Sequence, residues 1–270
     1  LVEGPENRIA LSAARTVIAN PAKSYNPLVI VGGAGDGKTH LLQGIGNELA
    51  AADGAVVACL GAQDFIEDLI SAIDKNRVNW WRARYRHITA FLLDDVQLIA
   101  GKERTQEELF WLFNLLQEAG RQMVFTSQVP LAELEHVEPR LITRLEGGLV
   151  VELTAPGREV RIAIVERWLQ AKLGEGDPEL AAYLAGRPVD SVRSLQGLVQ
   201  RVIVAAESQE TTPTAGLARK LLEGAPAAPA RRSSAGRASG VVTPLASVRS
   251  REKVVWDWPD VTDRLIEDPR

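Results

Sequence analysis

Short, mostly apolar runs alternate with longer stretches of helical periodicity through residues 1–157. Such runs, bounded by turn residues, are typical of buried strands, and we predict five of them, at 27–31, 56–60, 89–93, 122–126 and 149–153. Between the runs, apolar residues recur every three or four positions, which predicts helices at 8–19, 40–52, 64–73, 76–86, 107–119 and 138–148. Strand–helix units in series favour an α/β fold, with a parallel five-stranded sheet covered by helices on both faces.

The pattern becomes entirely helical from residue 158 onward, where helices are predicted at 158–172, 178–184, 191–207 and 214–222. We interpret residues 1–157 as an α/β domain and residues 158–222 as a small helical lid. Residues 223–250 are rich in Ala, Pro, Ser, Gly and Arg and lack apolar residues to pack, which predicts a disordered linker.

Residues 251–270 form a tail of different composition. Trp256 and Trp258 stand there among aliphatic and acidic residues. Such a segment after a disordered linker is typical of a peptide that docks on a protein partner. A tail that folds back onto its own domain is an equally weighted alternative.

Composition narrows the class of protein. The chain has 270 residues, a net charge of −4 and 46% hydrophobic residues, as ordinary globular proteins do. The mild acidity provides no general attraction to nucleic acid, so any DNA contact must be local. We find no membrane-spanning run and no secretory signal before the first strand, and Cys59 is the only cysteine, so we expect a cytoplasmic protein with a plain core thiol.

The turn between the first strand and the next helix carries the main candidate chemistry. Residues 32–39 fit the phosphate-binding pattern G-x-x-x-x-G-K-[ST] in the strand–loop–helix context that it requires. Backbone amides of the loop would surround the phosphates of ATP, Lys38 would reach the β- and γ-phosphates, and the Thr39 hydroxyl would hold Mg²⁺. We assign nucleotide binding to Gly33, Ala34, Gly35, Asp36, Gly37, Lys38, Thr39 and His40.

Polar residues follow the third and fourth predicted strands. Asp94 and Asp95 end the third strand, and carboxyl ends of strands are where α/β sheets place ligand chemistry. Asp94 would hold Mg²⁺ through water, and Asp95 would polarise the attacking water. Gln128 follows the fourth strand, where a polar side chain would lie beside these acids near the γ-phosphate. The alternative for the acid pair is a simple turn cap.

An aromatic and basic cluster lies within residues 76–86. It is compatible with a nucleic-acid face, because stacking on bases and pairing with phosphates need those residue types. We favour a helix that packs one Trp and Tyr85 inward and leaves its arginines solvated. Further along, Arg140 and Arg144 are four positions apart and therefore share one helical face.

Several segments, in this order along the chain, resemble the AAA+ module of the bacterial replication initiator DnaA family. The likeness extends from residue 1 to about residue 222. It rests on segments 24–28, 37–42, 94–97, 101–108 and 140–145. The resemblance implies an AAA+ P-loop NTPase fold with a helical lid, and ATP and Mg²⁺ as cofactors.

The resemblance also implies roles for individual residues. Asn7 and Arg8 match the segment that borders the adenine, and Arg193 matches the lid arginine that senses the nucleotide. Arg144 matches the arginine offered to a neighbouring subunit's ATP, and Arg140 matches one that supports the assembled form. Because this arginine comes from a neighbouring subunit, ATP hydrolysis would depend on assembly.

The resemblance further implies partners: the chain itself or a full-length DnaA initiator, together with single-stranded origin DNA at Ile70 and Arg104. We therefore expect an ATP-binding, slowly hydrolysing protein that assembles at the replication origin. Alternatives are a regulatory adaptor in the manner of Hda, which controls the initiator's ATP state, and a nucleotide-binding scaffold without hydrolysis.

Three departures from the family pattern bear on these expectations. Asp36 replaces an apolar residue, and an acid beside phosphates should weaken nucleotide binding unless it points to solvent. Gln128 stands where the family usually has Asp, so it keeps hydrogen bonding but loses the charge. No helix-turn-helix domain follows the lid in this sequence, which argues against sequence-specific duplex binding.

Overall fold

A single parallel sheet organises the first part of the chain. The computed structural model describes residues 1–174 and 177–223. Its strands are β1 (Leu28–Val31), β2 (Val57–Gly61), β3 (Ala90–Asp94), β4 (Gln122–Ser127) and β5 (Leu149–Glu152). They lie in the order β2-β3-β4-β1-β5, and all neighbouring pairs are parallel. The predicted five-stranded parallel sheet is confirmed, and the carboxyl ends of β1, β3 and β4 lie along one edge.

Helices cover both faces of this sheet, as predicted. They are α1 (Arg8–Ala19), α2 (Lys38–Ala50), α3 (Ala62–Asp74), α4 (Val78–Tyr85), α5 (Glu103–Glu118) and α6 (Pro139–Glu146). Helices α1 and α2 pack with Leu28 and Ile30 of β1, whereas the other four belong to a core with Val29 and Val31. Successive residues of β1 thus enter opposite cores, which explains its unbroken apolar run. Cys59 is buried in the first of these cores, and burial raises the pKa of its thiol to about 11, as suits a core residue.

The last described helices are α7 (Arg158–Leu173), α8 (Pro178–Ala185), α9 (Val192–Ser208) and α10 (Ala215–Glu223). They share an apolar core of their own. Side chains cap two of them: Asp177 accepts hydrogen bonds at the start of α8, and Ser191 does so at the start of α9. None of the described helices is long and apolar enough to cross a membrane.

The predicted linker at 223–250, apart from residue 223, and the tail with Trp256 and Trp258 lie outside the described residues. The boundaries drawn at residues 157 and 222 remain predictions.

Three helices begin earlier than their apolar pattern indicated, and one of them, α3, starts at Ala62 rather than at residue 64. Helix α2 starts at Lys38 rather than at residue 40, and α5 starts at Glu103 rather than at residue 107. The first turns of α5 bury the polar side chains of Thr105, Gln106 and Glu108, so the apolar stripe starts only later. Periodicity of apolar residues therefore missed a turn whose inward face is polar.

Helix α4 contains the aromatic and basic cluster. Trp81 and Tyr85 are completely buried, as predicted. The expectation that the arginines are solvated is wrong for Arg82 and Arg84, whereas Arg86 is exposed as expected. Arg82 makes two 2.8 Å hydrogen bonds to the carboxylate of Glu108, and Arg84 pairs with Asp68 at 3.0 Å. Arg84 faces an acid of α3 and Arg82 faces an acid of α5, because α4 lies against both helices and places these two charges at the contacts.

Candidate nucleotide-binding site

The loop between β1 and α2 has the backbone that an anion cradle requires. Gly35 and Gly37 have φ angles of 86° and 104°, a left-handed conformation that favours glycine. Helix α2 begins directly afterwards at Lys38, so its free amide groups and positive dipole end point towards the loop. A Cβ atom on Gly35 would lie 2.8 Å from the Cβ of Ser191, so the lid approaches this loop closely.

Lys38 is held inside the loop. Only 5% of it is exposed, and its Nζ donates a 2.8 Å hydrogen bond to the Gly33 carbonyl. Burial lowers the pKa of Lys38, and the carboxylates of Asp95, Asp36 and Asp94 oppose this shift. The ammonium group is thus positioned at the loop, where a phosphate can replace the carbonyl as its partner.

A chain of hydroxyl and carboxyl groups joins α2 to the ends of β3 and β4. Thr39 Oγ1 donates to Asp94 Oδ2 at 2.6 Å, and Thr126 Oγ1 donates to Asp94 Oδ1. Thr126 in turn accepts a 2.8 Å hydrogen bond from the Asp95 backbone amide. Sequence reasoning missed Thr126, although a polar residue in an otherwise apolar strand beside the acid-bearing strand was the available signal.

The Asp95 carboxylate is oriented by two amide side chains. Its Oδ1 accepts hydrogen bonds from Gln97 Nε2 and Gln128 Nε2, both at 3.1 Å. The Gln97 carbonyl oxygen accepts from the Gln128 backbone amide, also at 3.1 Å. Asp95 itself has a φ of 59°, an uncommon conformation for a residue other than glycine, and such positions cluster at functional sites. Gln128 thus lies beside the β3 acids, where its position after β4 predicted it.

A cavity of about 500 Å³ opens between this loop, the lead-in segment and the lid. Its volume is within the range of small-molecule sites. Many of the predicted site residues line it: Asn7, Ala34, Gly35, Asp36, Gly37, Lys38, Thr39, His40, Asp95, Gln128 and Arg193. Asp94 and Gly33 contact it indirectly, through their hydrogen bonds to Thr39 and Lys38.

Arg193 brings a positive charge from the lid to the phosphate loop. It lies in the first turn of α9, and its Cβ is 3.3 Å from where a Cβ on Gly35 would stand. The charge of Arg193 acts to lower the pKa of Lys38, so the two cations act on the same region. This placement suits an arginine that contacts phosphates.

The two lead-in residues differ in their placement. Asn7 is buried, donates from Nδ2 to the Val2 carbonyl at 2.8 Å and accepts from the Gly4 amide at 2.9 Å. Its side chain therefore holds residues 2–7 in a loop at the cavity wall. Arg8 is exposed and is not among the residues that line the cavity.

Asp36 stays close to the loop. It lines the cavity, and its Oδ2 lies near Gly33, 2.8 Å from where a Cβ on that glycine would stand. Its charge also raises the pKa of Lys38. The acid thus faces the region where phosphates would bind.

The lid supplies cavity residues that the sequence did not single out. They are Val160, Ile164, Arg167, Trp168, Val192 and Gln196. Positions 160, 164 and 168 recur every four residues on α7, so they share one helical face. That stripe was the available signal, but periodicity does not tell which apolar stripe faces a cavity.

The two arginines of α6 lie outside the cavity lining. Both guanidinium groups are stacked on Phe110 of α5, with Cζ 4.6 Å from the ring centroid for Arg140 and 5.9 Å for Arg144. Arg144 also donates to Gln117 Oε1 at 3.4 Å. Both side chains are exposed.

Ile70 and Arg104 lie on other helices. Ile70, on α3, is 50% exposed. Arg104, on α5, pairs with Glu107 and Glu108, each at 2.9 Å. Glu108 is thereby shared by Arg82 and Arg104, which fixes two cations on this side of the molecule.

Within residues 1–174 and 177–223, no group of three or more His, Cys, Asp or Glu side chains could hold a metal ion. A hydroxyl beside one carboxylate is the protein contribution expected where phosphates and water complete the shell of Mg²⁺. The phosphate loop, the acid pair on the adjoining strand end and the arginine-bearing helical lid together define a P-loop nucleotide-binding module of the AAA+ type.

Comparison with known proteins identifies the family. The model of the bacterial DnaA ATPase domain matches residues 1–152, and the chain belongs to this family. A relative from Methylacidiphilum infernorum (isolate V4), the chromosomal replication initiator protein DnaA, is 39% identical over 202 residues. That match covers 74% of this chain and 44% of the relative, so the chain spans less than half of that protein's length.

Solved structures agree. Domain III of the Thermotoga maritima replication initiation protein DnaA superposes with a TM-score of 0.78 at 35% identity, covering 83% of this chain and 94% of that one. A replication initiator DnaA bound to AMPPCP and single-stranded DNA gives 0.68 at 33% identity, with 78% and 66% covered. The predicted family and fold class are confirmed, and nucleotide binding is supported.

Proposed function

We propose that this chain binds ATP with Mg²⁺, hydrolyses it slowly, and assembles in its ATP form with itself or with a full-length DnaA initiator at the replication origin. The observation that carries the proposal is the single cavity onto which Lys38, Thr39 and Arg193 converge from the core and the lid. Membership of the DnaA ATPase domain family supports it.

The residues present fit a magnesium ion. Thr39 and Asp94 are within hydrogen-bonding distance of each other, so the hydroxyl would hold the ion and the carboxylate would hold it through water. When bound, the ion neutralises charge on the phosphate oxygens. Thr126 holds the second oxygen of Asp94 and thus fixes the carboxylate in place.

Asp95 would orient the water that attacks the γ-phosphate. Its Oδ1 is held by Gln97 and Gln128, which leaves Oδ2 to contact a water molecule. A carboxylate of fixed orientation is what water activation requires. In this role Gln128 positions the carboxylate by a neutral hydrogen bond and adds no charge of its own.

Arg144 would complete a neighbour's site rather than its own. Its side chain is exposed, lies outside the cavity lining, and is held only by the Phe110 ring and a long hydrogen bond to Gln117. An arginine presented on another subunit stabilises transition-state charge, so hydrolysis would rise with assembly. Arg140, stacked on the same ring, would support the subunit contact.

Single-stranded origin DNA is the proposed nucleic-acid ligand. A DnaA relative has been solved with single-stranded DNA, and Ile70 and Arg104 offer an exposed apolar group and a cation on α3 and α5. Ile70 would make an apolar contact with a base or sugar, and Arg104 would pair with a phosphate. Because the net charge is −4, binding would depend on this local surface.

The test measures sedimentation of the full chain with ATP, with ADP and without nucleotide, each with and without single-stranded DNA. We expect ATP alone to drive self-association and single-stranded DNA to extend it. A parallel set of mixtures contains a full-length DnaA initiator. Association that is identical in ATP and ADP would contradict the proposal.

Phosphate release at increasing protein concentration tests the arginine assignment. Arg144→Ala should bind ATP normally and lose the rise of the specific rate with concentration. Arg219→Ala, which removes an exposed lid arginine paired with Glu179, is the matched control and should keep that rise. If Arg144→Ala hydrolyses ATP like the unmodified chain, the assignment in trans is wrong.

A further inference from the structure

The cavity is lined by two chemical groups of residues. One is polar and charged and lies at the phosphate loop. The other is apolar and includes Val2, Pro156, Val160, Ile164 and Trp168. The first group suits a triphosphate, whereas the second suits a flat, largely apolar surface such as a nucleotide base.

The side chain of Asn7, in the lead-in segment, is engaged within that segment. Asn7 uses its side-chain oxygen on the Gly4 amide and one N–H on the Val2 carbonyl. Its amide therefore shapes the wall, and an apolar lining residue is the candidate for contact with the flat face of a base. Among the described lining residues, Trp168 is the one with a wide aromatic ring.

Trp168 is anchored in the lid and open to the cavity. It lies on α7 one turn after Ile164 and packs against the apolar core of α7–α10. It is half-buried, and part of its surface lines the cavity. The ring is therefore fixed to the lid and presents its remaining surface to the cavity.

We infer that Trp168 packs its indole ring against the base of the bound nucleotide; this rests on the proposed function of the cavity as an ATP site. The lid then contacts the nucleotide twice, through Trp168 at the base and through Arg193 at the phosphates. Lid position would depend on the whole nucleotide rather than on its phosphates alone. Base recognition would be assigned to a side chain of the lid in addition to the lead-in segment.

Tryptophan emission of the full chain tests the contact. The chain has six tryptophans, so the signal of one residue is isolated by substitution. We expect MgATP to change the emission of the unmodified chain and of Trp80→Phe, whose ring lies on α4 between Arg77 and Arg84. Trp168→Phe should lose most of the change. A full emission change in Trp168→Phe would overturn the inference.

Measuring the affinity for MgATP and for magnesium tripolyphosphate, which has no base, distinguishes a base contact of Trp168 from a role in lid packing. Trp168→Ala should bind MgATP roughly tenfold more weakly, within the range of base–aromatic stacking, and should bind magnesium tripolyphosphate as the unmodified chain does. Trp168→Phe keeps an aromatic ring and should weaken MgATP binding less. Equal weakening for both ligands, or no weakening for either, would overturn the inference.

The same titrations distinguish failure of this inference from failure of the proposed function. If the unmodified chain binds neither MgATP nor tripolyphosphate, the ATP site itself is wrong and the inference falls with it. If it binds both and the Trp168 variants behave like the unmodified chain, only the base contact is wrong. Circular dichroism of Trp168→Ala identifies a variant that fails to fold, in which case Trp168→Phe alone decides.

Discussion

The charged residues Lys38, Asp94 and Asp95 of the nucleotide site are buried or half-buried, whereas the arginine pair of α6 is exposed. In the cavity, Lys38, Asp94 and Asp95 each have hydrogen-bonding partners fixed by other side chains or by the loop backbone. On α6, Arg140 and Arg144 lie on the ring of Phe110 at the exposed surface, where Arg140 pairs with Glu138 and Arg144 donates to Gln117. The comparison teaches that the polar groups of the cavity are held in place within one chain, whereas the α6 arginines are exposed, as the proposed role on a neighbouring subunit requires.

The largest expected effect is on ATP affinity and comes from substituting Lys38 in the cavity. Lys38→Ala removes the buried cation and should weaken ATP binding at least about a hundredfold, since a charge-assisted hydrogen bond contributes about 3 kcal/mol. Titration calorimetry with MgATP measures the change. Lys75→Ala, which removes an exposed lysine after α3, should bind ATP as the unmodified chain does. Retained affinity in Lys38→Ala would refute the cavity as the phosphate site.

Thr126 connects the two acids and gives the next largest effect. Thr126→Val keeps the volume but leaves Asp94 Oδ1 and the Asp95 amide without their hydroxyl partner. We expect a loss of about 1–3 kcal/mol in the free energy of unfolding and slower phosphate release. Urea unfolding and a phosphate assay measure these quantities.

Thr16→Val is the control for Thr126→Val. The Thr16 hydroxyl bonds only to the Ser12 carbonyl of its own helix, so its removal should have little effect on stability or rate. Equal behaviour of the two valine variants would mean that the hydroxyl network has no role.

Asp36 offers a change in the opposite direction. Asp36→Asn removes a negative charge beside the phosphate loop and should tighten ATP binding about tenfold, after allowance for solvent at this half-exposed site. The gain should shrink as salt is added, because salt screens the repulsion. Asp53→Asn, at an exposed site after α2, should leave affinity unchanged. An unchanged or weaker affinity in Asp36→Asn would show that the acid does not act on the phosphates.

The smallest expected effect sharpens the arginine side of the comparison. Phe110→Leu removes the ring beneath Arg140 and Arg144, and an exposed cation–π contact contributes about 0.5–1 kcal/mol, equivalent to roughly two- to fivefold. Assembly-stimulated phosphate release should fall by that factor while ATP affinity stays the same. Trp111→Leu, which removes the ring beside Arg82, should leave the stimulation intact. A loss of ATP affinity in Phe110→Leu would show that the ring acts on the ATP site, and would contradict a role limited to the α6 arginines.

Much of the fold was predictable because its signals are local. Helix α1 was predicted at 8–19 and is observed over the same residues, since its apolar spacing and the Asn20-Pro21 stop are both in the sequence. The phosphate loop was predictable for the same reason. The polar first turn of α5 was not, because Gln106 and Glu108 are buried through partners that lie far away along the chain.

Site residues were predictable from the sequence where the residue type and its sequence context are characteristic of phosphate or metal binding. Lys38 and Asp94 follow strands in a recognisable pattern, whereas Thr126 and Trp168 belong to residue types common in strands and helix cores. The contact of Thr126 with the acids and the placement of Trp168 at the cavity depend on which strands and helices become neighbours. Phe110 likewise gained its place beneath two arginines only through the packing of α5 against α6.

The sequence by itself determined the strand–helix alternation, the left-handed loop at Gly35 and Gly37, and the acids at the end of β3. Backbone conformation and apolar periodicity are properties of neighbouring residues, so they can be read locally. Only the tertiary structure decided that β4 lies between β3 and β1 and that the lid covers the loop. Hydrogen bonds between strands and packing of the lid join residues distant in sequence, and these contacts bring Thr126 to the acids of β3 and bring Arg193 and Trp168 to the cavity.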